Sequence, residues 1–253
     1  MKIQEFTAAM ERIAPRDLAL EFDNPGLLIE PDHEEITRVL VALDCTTVVA
    51  KEAMELGVDL VVTHHPLFFH PVKHMAYSDP ATKAACILLR HGIGLFSAHT
   101  NLDAAHGGVN DTLCTLFGIR DAIPFDEGIG RVGVLKAPET LASFASRAEE
   151  VLNTRVQILG DLGKSVSRVA VMGGSGGDSI ALAVAQNADV LLTGEVKHSD
   201  AIDAMTLGIS LVVAGHYETE AIVLEPLIKR LQNDCFGVQY SLSRSDGSPF
   251  VRL

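Results

Sequence analysis

The chain contains four histidines and two carboxylates in a repeated arrangement that is typical of metal sites. Two of these histidines are adjacent, and each of the other two precedes an acidic residue by four positions. Four residues form about one turn of a helix, so each histidine–acid pair can share one helical face. Imidazole and carboxylate groups without thiolates suit zinc, manganese, iron, cobalt or nickel. The six residues are His64, His65, His99, Asp103, His216 and Glu220.

The adjacent histidines lie at the end of a predicted buried strand. Residues 58–62 are apolar except for Asp59, and Pro66 cannot continue a ladder of backbone hydrogen bonds. The carboxyl ends of parallel strands share one edge of a sheet, where open α/β folds bind their ligands. Because neighbouring side chains of a strand point to opposite faces, we expect His64 and His65 to serve two different metal ions.

An internal duplication predicts the elements that position these residues. Residues 38–63 align without a gap with residues 168–193, and residues 92–98 align with residues 208–214. Each repeat reads as strand, helix, strand, helix, strand. This order indicates mainly parallel sheets with helices packed on them.

The predicted fold is therefore α/β, with two related lobes that together form one compact unit. We place the first lobe at residues 1–125 and the second at residues 126–253. Strands are predicted near residues 38–43, 58–63, 93–98, 131–135, 167–172, 188–193 and 209–214. Helices are predicted near residues 47–56, 80–91, 141–152, 177–186 and 198–207.

The composition indicates a globular protein and excludes several classes of function. The 253 residues are 47% hydrophobic and 21% charged, with a net charge of −13. An acidic surface repels phosphate backbones, so we expect a small-molecule substrate and no nucleic acid. No apolar run reaches the length of a membrane span, and residues 1–15 read as an amphipathic helix rather than a signal peptide. The four cysteines are expected as buried free thiols in a reducing cytoplasm.

Several residues near the strand ends have both a functional and a structural interpretation. His99 either binds metal or orients Asp103 or a ligand. Glu195 is the duplicate of His65 and is a candidate proton carrier, although a structural role suits its position equally well. The remaining histidines are expected on the surface or hydrogen-bonded in the core: His33, His70, His74, His91 and His106.

Three further features are also open to two interpretations. The glycine-rich residues 173–177 follow a strand and open a helix, which suits either a phosphate-binding loop or a tight turn. Lys197 and His198 either contact an anionic substrate or lie at the start of a helix. Asp44 is interpreted as a helix N-cap, and Pro226 as a kink or the start of a second helix.

The motifs around these residues resemble those of the GTP cyclohydrolase I type-two homologue family, also called the NIF-three-like family. Three motifs carry the resemblance: His-His-Pro-Leu at 64–67, His-Thr-Asn-Leu-Asp at 99–103 and Gly-His-Tyr-Glu-Thr-Glu at 215–220. The matching stretches run over nearly the whole chain, at residues 22–27, 59–69, 97–111, 173–176, 189–198 and 214–220.

The resemblance implies a dinuclear metal centre, so the expected cofactor is two divalent metal ions per chain. It also implies two related α/β lobes and a toroidal homohexamer. Phe22 replaces a tryptophan that is usual in the family, and the chain lacks the domain that longer members insert near residues 125–130. The ligands that the resemblance implies, without His99 among them, are His64, His65, Asp103, His216 and Glu220.

These observations lead to three hypotheses about function. The family label implies hydrolytic opening of the GTP purine ring with loss of formate. The first hypothesis is therefore a dinuclear metal-dependent hydrolase that acts on a nucleotide or a related small molecule, with Glu195 or His99 as the proton carrier. The alternative is a metal-binding regulatory protein or metallochaperone without turnover. A protein-interaction scaffold is the third.

Overall fold

The structure is a computed structural model that describes residues 1–251. The chain divides into two compact units. The first unit consists of Met1–Ala105 and Leu224–Gly247, and the second consists of His106–Val223 with the chain from Ser248 onwards. Each unit is therefore assembled from two separate segments of the chain.

This division differs from the boundary expected after residue 125, because two segments belong to the other unit. Arg120–Phe125 pairs antiparallel with Gly130–Thr140 and so extends the second sheet. Near the carboxyl end, Gln239–Leu242 pairs in parallel with Arg38–Ala42 of the first sheet. Neither exchanged segment lies inside the duplicated part of the sequence, which is why the duplication does not reveal them.

A five-stranded sheet forms the centre of the first unit. Its strands are β1 (Gly26–Ile29), β2 (Arg38–Ala42), β3 (Leu60–Thr63), β4 (Gly94–Ser97) and β11 (Gln239–Leu242). Its helices are α1 (Ile3–Ile13), α2 (Thr47–Leu56), α3 (Pro80–Arg90), α4 (Thr100–Ala104) and α10 (Leu224–Asp234). The strand order is β1-β4-β3-β2-β11, and every pairing is parallel except that of β1 with β4.

A six-stranded mixed sheet forms the centre of the second unit. Its strands are β5 (Arg120–Phe125), β6 (Gly130–Thr140), β7 (Gln157–Leu159), β8 (Ser165–Ser175), β9 (Val190–Glu195) and β10 (Ser210–Val213). Its helices are α5 (Val109–Leu116), α6 (Leu141–Val151), α7 (Ile180–Ala185), α8 (His198–Leu207) and α9 (His216–Glu220). The order is β5-β6-β8-β9-β10-β7, with β8, β9 and β10 parallel and the other pairings antiparallel.

The α/β fold with two related halves is confirmed. The three parallel strands that the duplication predicts form the centre of each sheet. The second sheet is mixed rather than mainly parallel because β5, β6 and β7 pair antiparallel with their neighbours. Of these, β6 contains the strand predicted near residues 131–135, whereas the edge strands β5 and β7 are mostly exposed and give no clear apolar pattern in the sequence.

Asp59 and Asp189 occupy equivalent positions and fix the two halves in the same way. The Asp59 carboxylate accepts hydrogen bonds of 2.7 Å from the backbone amide of Thr37 and 2.8 Å from that of Arg38. The Asp189 carboxylate accepts two hydrogen bonds of 2.8 Å from the backbone amides of Arg168 and the residue before it. In each half the carboxylate therefore links the segment just before one parallel strand to the strand beside it.

Apolar side chains hold each sheet against its helices. In the first unit Leu40, Val61 and Leu95 of the central strands pack with Val49 of α2 and Leu88 of α3. The central strands of the second unit pack with α6 in a similar way. Burial of apolar surface contributes about 25 cal/mol per Å², so these contacts make each central sheet a firm support for the residues that follow its strands.

The cysteines and the helices agree with the composition. All four cysteines are free thiols, as the sequence predicts, but Cys86 is half-buried whereas the other three are buried. Burial raises the pKa of Cys45 and Cys114 to about 12, so both remain protonated thiols at neutral pH. Within residues 1–251, no helix is both long enough and apolar enough to cross a membrane.

Candidate metal centre

The first unit brings three of the candidate histidines together at the carboxyl ends of β3 and β4. His64 and His65 follow β3, and His99 follows β4 by one residue. Because these strands pair in parallel, the residues after them lie side by side. Ring nitrogens of the three imidazoles lie within 4.8 Å of one another, a spacing that suits a shared metal ion.

The rings of His64 and His65 lie next to each other, so the expectation that they point to opposite faces is wrong. Their centroids are 5.0 Å apart and their planes are inclined by 46°. The strand ends at Thr63, and the alternation of side chains in a strand no longer applies to the next two residues. The Thr63 hydroxyl donates to the carbonyl oxygen of His65 at 2.8 Å, which turns the chain directly after the strand.

Asp103 adds a carboxylate to these histidines. It lies on α4 one turn after His99 and is only 7% exposed. Its Oδ1 atom is 3.6 Å from Nε2 of His64, which is 1% exposed. Polar groups this deeply buried need partners that offset their lost hydration. The first unit therefore places an oxygen donor beside nitrogen donors in a site shielded from water.

Two of the histidines are held in place through their Nδ1 atoms. His64 Nδ1 lies 2.8 Å from the carbonyl oxygen of Ala98, and His65 Nδ1 lies 2.9 Å from Oδ1 of Asp44. An imidazole that donates from Nδ1 carries its lone pair on Nε2, and histidines that bind metals are commonly oriented in this way. These contacts therefore prepare His64 and His65 to bind through Nε2.

Asp44 orients His65, and its interpretation as a helix N-cap is wrong. The N-cap of α2 is Thr46, whose hydroxyl oxygen accepts a hydrogen bond of 3.3 Å from the backbone amide of Val49. Asp44 lies two residues earlier and its carboxylate reaches the imidazole instead. A carboxylate at Nδ1 increases the basicity of the other ring nitrogen and strengthens it as a ligand.

His99 is oriented by Asp23, a residue to which the sequence assigned no role. Its Nδ1 lies 2.8 Å from Oδ1 of Asp23, whose second oxygen accepts from the backbone amide of Thr100 at 3.0 Å. Burial alone would raise the pKa of Asp23, but the hydrogen bonds from His99 and Thr100 outweigh it and lower the pKa to about 2. The two partners are 76 residues apart, so no local spacing reveals them. The one available signal is the matching stretch at residues 22–27.

The second unit brings His216, Glu220 and Glu195 together at the carboxyl ends of β9 and β10. His216 and Glu220 begin and end α9, so they share one helical turn as their spacing predicts. His216 Nε2 lies 3.1 Å from Oε2 of Glu220, and His216 Nδ1 lies 3.2 Å from Oε1 of Glu195. The Glu220 side chain is buried, whereas that of Glu195 is 58% exposed. Glu195 therefore orients His216 from the side that solvent reaches.

The glycine-rich segment at the end of β8 makes room for this pair and favours the tight-turn interpretation. A Cβ atom on Gly174, whose φ is +65°, would lie 2.1 Å from Oε1 of Glu220. The amide of Gly173 donates to the side chain of Asn110 at 2.9 Å, and that of Gly174 donates to the Thr219 hydroxyl at 3.0 Å. Two amides that a phosphate-binding loop would offer to its ligand are therefore committed to protein side chains.

The other residues singled out in the sequence lie at helix starts. His198 begins α8, and the backbone amide of Lys197 donates to the Asp200 carboxylate at 2.8 Å. Pro226 lies in the first turn of α10, after a short 3-10 turn at Ala221–Val223. It therefore lies at the start of a second helix and does not kink a longer one.

The side chains of each unit fit a divalent metal ion by their chemistry. They offer imidazole nitrogen and carboxylate oxygen atoms without a thiolate, which suits borderline and harder divalent ions. In each unit the donors also have acceptors behind them that fix the ring orientation. The first unit offers His64, His65, His99 and Asp103. The second offers His216 and Glu220, with Glu195 behind His216.

Comparisons with known proteins identify the family of the chain. The family model of Duf34/NIF3 (NGG1p interacting factor 3) matches residues 1–249. A "GTP cyclohydrolase 1 type 2 homolog" from Clostridium perfringens is 34% identical over 262 residues, covering 99% of both chains. A relative of the same name from Methanocaldococcus jannaschii is 36% identical and covers 89% of this chain and 92% of its own.

Solved structures with the same fold are also known. Reduced HcgD from Methanocaldococcus jannaschii is 33% identical, with a TM-score of 0.85 over 96% of this chain and 97% of its own. A Bacillus cereus protein related to NIF3 has a TM-score of 0.90 over 100% of this chain and 99% of its own. At 23% sequence identity, this similarity is evidence for the fold only.

Proposed function

The chain belongs to the Duf34/NIF3 family, and we propose that it is a metal-dependent hydrolase acting on a nucleotide or a related small molecule. The proposed cofactor is two divalent metal ions per chain. The name shared by many relatives, GTP cyclohydrolase 1 type 2 homolog, makes purine nucleotides the first substrate class to test. The proposed ligands, which are those that the sequence resemblance implies, are His64, His65, Asp103, His216 and Glu220.

The observation that carries this proposal is the common support of the candidate imidazoles. His65, His99 and His216 each have a carboxylate at Nδ1, and His64 has a backbone carbonyl there. Histidines that bind metals characteristically donate their second ring nitrogen to such acceptors. The exposed His33 and His106 also have a carboxylate at Nδ1. The proposal therefore depends on this support together with the close grouping of the imidazoles after β3 and β4.

The side chains have separate tasks in the proposed reaction. Two divalent ions, when bound, lower the pKa of a water molecule and stabilise negative charge that develops on the substrate. Asp103 and Glu220 supply buried oxygen ligands. Glu195 is half exposed and contacts His216, so it can accept a proton and pass it to solvent. His99, held at Nδ1 by Asp23, is the proton carrier proposed in the first unit.

Elemental analysis of protein purified without added metal tests the proposed cofactor. We expect about two ions per chain after loading with zinc, manganese, iron, cobalt or nickel. The variants Asp103→Asn and Glu220→Gln should each retain less metal than the wild type. Glu225→Gln, which removes an exposed carboxylate on α10, is the matched control and should retain the wild-type amount. A fully loaded wild type with fewer than about two ions per chain would argue against the proposed centre.

A turnover screen separates the hydrolase from a metal-binding protein without activity. The loaded wild type is incubated with purine and pyrimidine nucleotides and with phosphoesters, and products are detected by mass spectrometry. We expect hydrolysis of at least one compound and its loss in Asp103→Asn at equal protein concentration. If metal binds but no compound is turned over, the regulatory or metallochaperone function replaces the hydrolase.

We also propose a cytoplasmic homohexamer, which follows from the resemblance stated above. Light scattering coupled to size exclusion measures its mass directly. The expected particle has six times the 27.1 kDa mass of the chain. A particle of one or two chains across a range of concentrations would contradict this assembly.

A further inference from the structure

Two exposed phenylalanines lie beside the histidine cluster of the first unit. Phe22 is 60% exposed and Phe69 is 40% exposed, and their ring centroids are 5.8 Å apart. The Phe69 ring also lies 5.9 Å from the ring of His99, at an interplanar angle of 80°. His99 in turn is 5.2 Å from His64. A continuous path of rings therefore leads from the candidate ligands to an exposed aromatic pair.

The loop after β3 turns Phe69 outward although the two preceding residues turn inward. Leu67 and Phe68 pack on the apolar core of the first unit. The side chain of Asn24 donates to the backbone carbonyl of Phe68 at 2.7 Å, which ties this loop to the segment that carries Phe22. The two exposed rings are thus held together by anchored neighbours.

This anchoring indicates that the exposed rings form a binding surface. Removal of large apolar side chains from water lowers the free energy. A pair held outward beside a polar site is therefore a surface that a ligand can cover. Aromatic rings attract other rings in offset or edge-to-face arrangements, and every nucleobase has a face that can stack. No charge lies on the two rings themselves, so they select a planar ring rather than a phosphate.

We propose that Phe22 and Phe69 form a stacking surface for a planar aromatic ring of the substrate, such as a nucleobase. The proposal rests on the proposed function of the adjacent histidine cluster and names the substrate feature that the site recognises. The ring of a bound nucleotide packs against the two phenylalanines. The rest of the molecule then extends towards His99 and His64, one ring further along the path.

The absence of tryptophan from the chain provides a direct test. The variant Phe22→Trp introduces a single fluorescent reporter at the proposed surface, in the otherwise full-length protein as purified. Phe236→Trp is the matched control, because Phe236 is 82% exposed and belongs to the same unit. Each variant is titrated with guanosine 5′-monophosphate and, separately, with ribose 5-phosphate, which lacks a base.

We expect guanosine 5′-monophosphate to quench the tryptophan fluorescence of Phe22→Trp along a saturable curve. The fluorescence of Phe236→Trp should fall only in linear proportion to the nucleotide concentration. Ribose 5-phosphate should leave both unchanged. Adding Phe69→Leu to Phe22→Trp keeps an apolar side chain but removes a ring, and should weaken binding by at least about fivefold. Quenching that is equally weak and linear in both tryptophan variants, or affinity unaffected by Phe69→Leu, would overturn the proposal. Saturable binding of ribose 5-phosphate would also overturn it, since the phosphate and sugar would then be recognised.

The same samples separate this proposal from the proposed function. Metal content and turnover are measured on the wild type, and quenching on the tryptophan variants. Metal binding with turnover but without saturable quenching rejects the stacking surface alone. Saturable quenching without turnover supports the stacking surface and rejects the hydrolase alone.

Discussion

In the first unit, β3 ends at Thr63 and is followed by His64 and His65, whereas the equivalent β9 of the second unit ends with Gly194 and Glu195. One backbone hydrogen bond beside these strand ends is common to both units. The amide of Ala98 donates to the carbonyl of Thr63 at 2.9 Å, and the equivalent bond in the second unit is 2.8 Å. One scaffold therefore presents different side chains at matching strand ends.

The position of His64 is taken by Gly194 because a helix lies close to the strand end in the second unit. A Cβ atom on Gly194 would lie 2.7 Å from Cα of His216 and 2.6 Å from the carbonyl oxygen of Gly174. The candidate ligands of the second unit are thus supplied by α9, which needs this glycine to approach. In the first unit the end of β3 itself supplies two of them, His64 and His65.

The imidazole and its supporting carboxylate have exchanged places between the halves. In the first unit the residue after the strand is an imidazole, His65, and a carboxylate from another turn, Asp44, supports it. In the second unit the equivalent residue is a carboxylate, Glu195, and it supports an imidazole on the next helix, His216. The duplicated scaffold therefore fixes where an imidazole–carboxylate pair forms, and the sequence decides which of the two positions carries the imidazole.

Removal of one imidazole from either half should have the largest effect. We expect His65→Ala and His216→Ala each to lower the affinity for a divalent metal by more than about 100-fold, a larger loss than supporting groups produce. Competition with a metal-binding dye measures this affinity. His91→Ala removes an exposed histidine at the end of α3 and serves as the control. A loss in one half only would mean that the halves do not both contribute ligands.

Removal of the supporting carboxylates should have a smaller effect of the same kind. Asp44→Asn and Glu195→Gln keep the size of each side chain but weaken the acceptor at Nδ1. We expect each to lower metal affinity by about 10- to 100-fold, measured with the same dye. Asp161→Asn, in a loop of the second unit, is a control that should change nothing. If Glu195→Gln alone left the metal affinity unchanged, Glu195 would lie beside His216 without strengthening it as a ligand.

Substitution of the glycine at the second strand end tests why the halves differ. Gly194→Ala introduces a Cβ atom within 3 Å of two backbone atoms, so we expect a loss of about 1–3 kcal/mol in the free energy of unfolding. Urea denaturation measures this change. Gly163→Ala is the control, since its Cβ would approach only Asp161, at 3.5 Å. Equal stability of the two variants would show that α9 does not require the glycine.

Substitution of Asp59, the carboxylate just before β3, should give the smallest effect. Asp59→Asn is expected to cost about 1 kcal/mol at neutral pH, because the carboxylate accepts hydrogen bonds from Thr37 and Arg38. Burial raises the pKa of Asp59, but those hydrogen bonds outweigh it and hold the pKa below its ordinary value. A depressed pKa stabilises the fold above the unfolded pKa, so the difference between wild type and variant should shrink below about pH 4. Urea denaturation across pH should show this convergence, and a difference that grew on acidification would contradict it.

The sequence predicts the repeated elements well because their apolar periods are regular. Helices α2 and α8 have the predicted bounds, 47–56 and 198–207, and the central strands lie within a few residues of their predicted positions. The edge strands β1, β7 and β11 are mostly half-buried or exposed, so they lack the fully buried runs that mark central strands such as β3 and β4. Pairing of β11 with β2 also joins distant parts of the chain, which local patterns do not encode.

The candidate ligands could be identified from the sequence, but most of their supporting groups could not. His64, His65 and the two histidine–acid pairs are visible because the duplication places them after equivalent strands. Asp23 supports His99 across 76 residues and Asp44 supports His65 across 21, and neither distance corresponds to a local motif. The side-by-side rings of the adjacent histidines were also missed, because the strand ends at Thr63 and alternation does not extend to the next two residues.

The central claim is that acceptors at Nδ1 prepare imidazoles in both halves to bind metal through Nε2. Anomalous diffraction from crystals of the zinc- or cobalt-loaded protein tests it most directly. We predict anomalous peaks at bonding distance, about 2.0–2.2 Å, from Nε2 of His64, His65 and His216. Peaks beside Nδ1 atoms, or only at surface groups such as His33 and Asp32, would contradict the account.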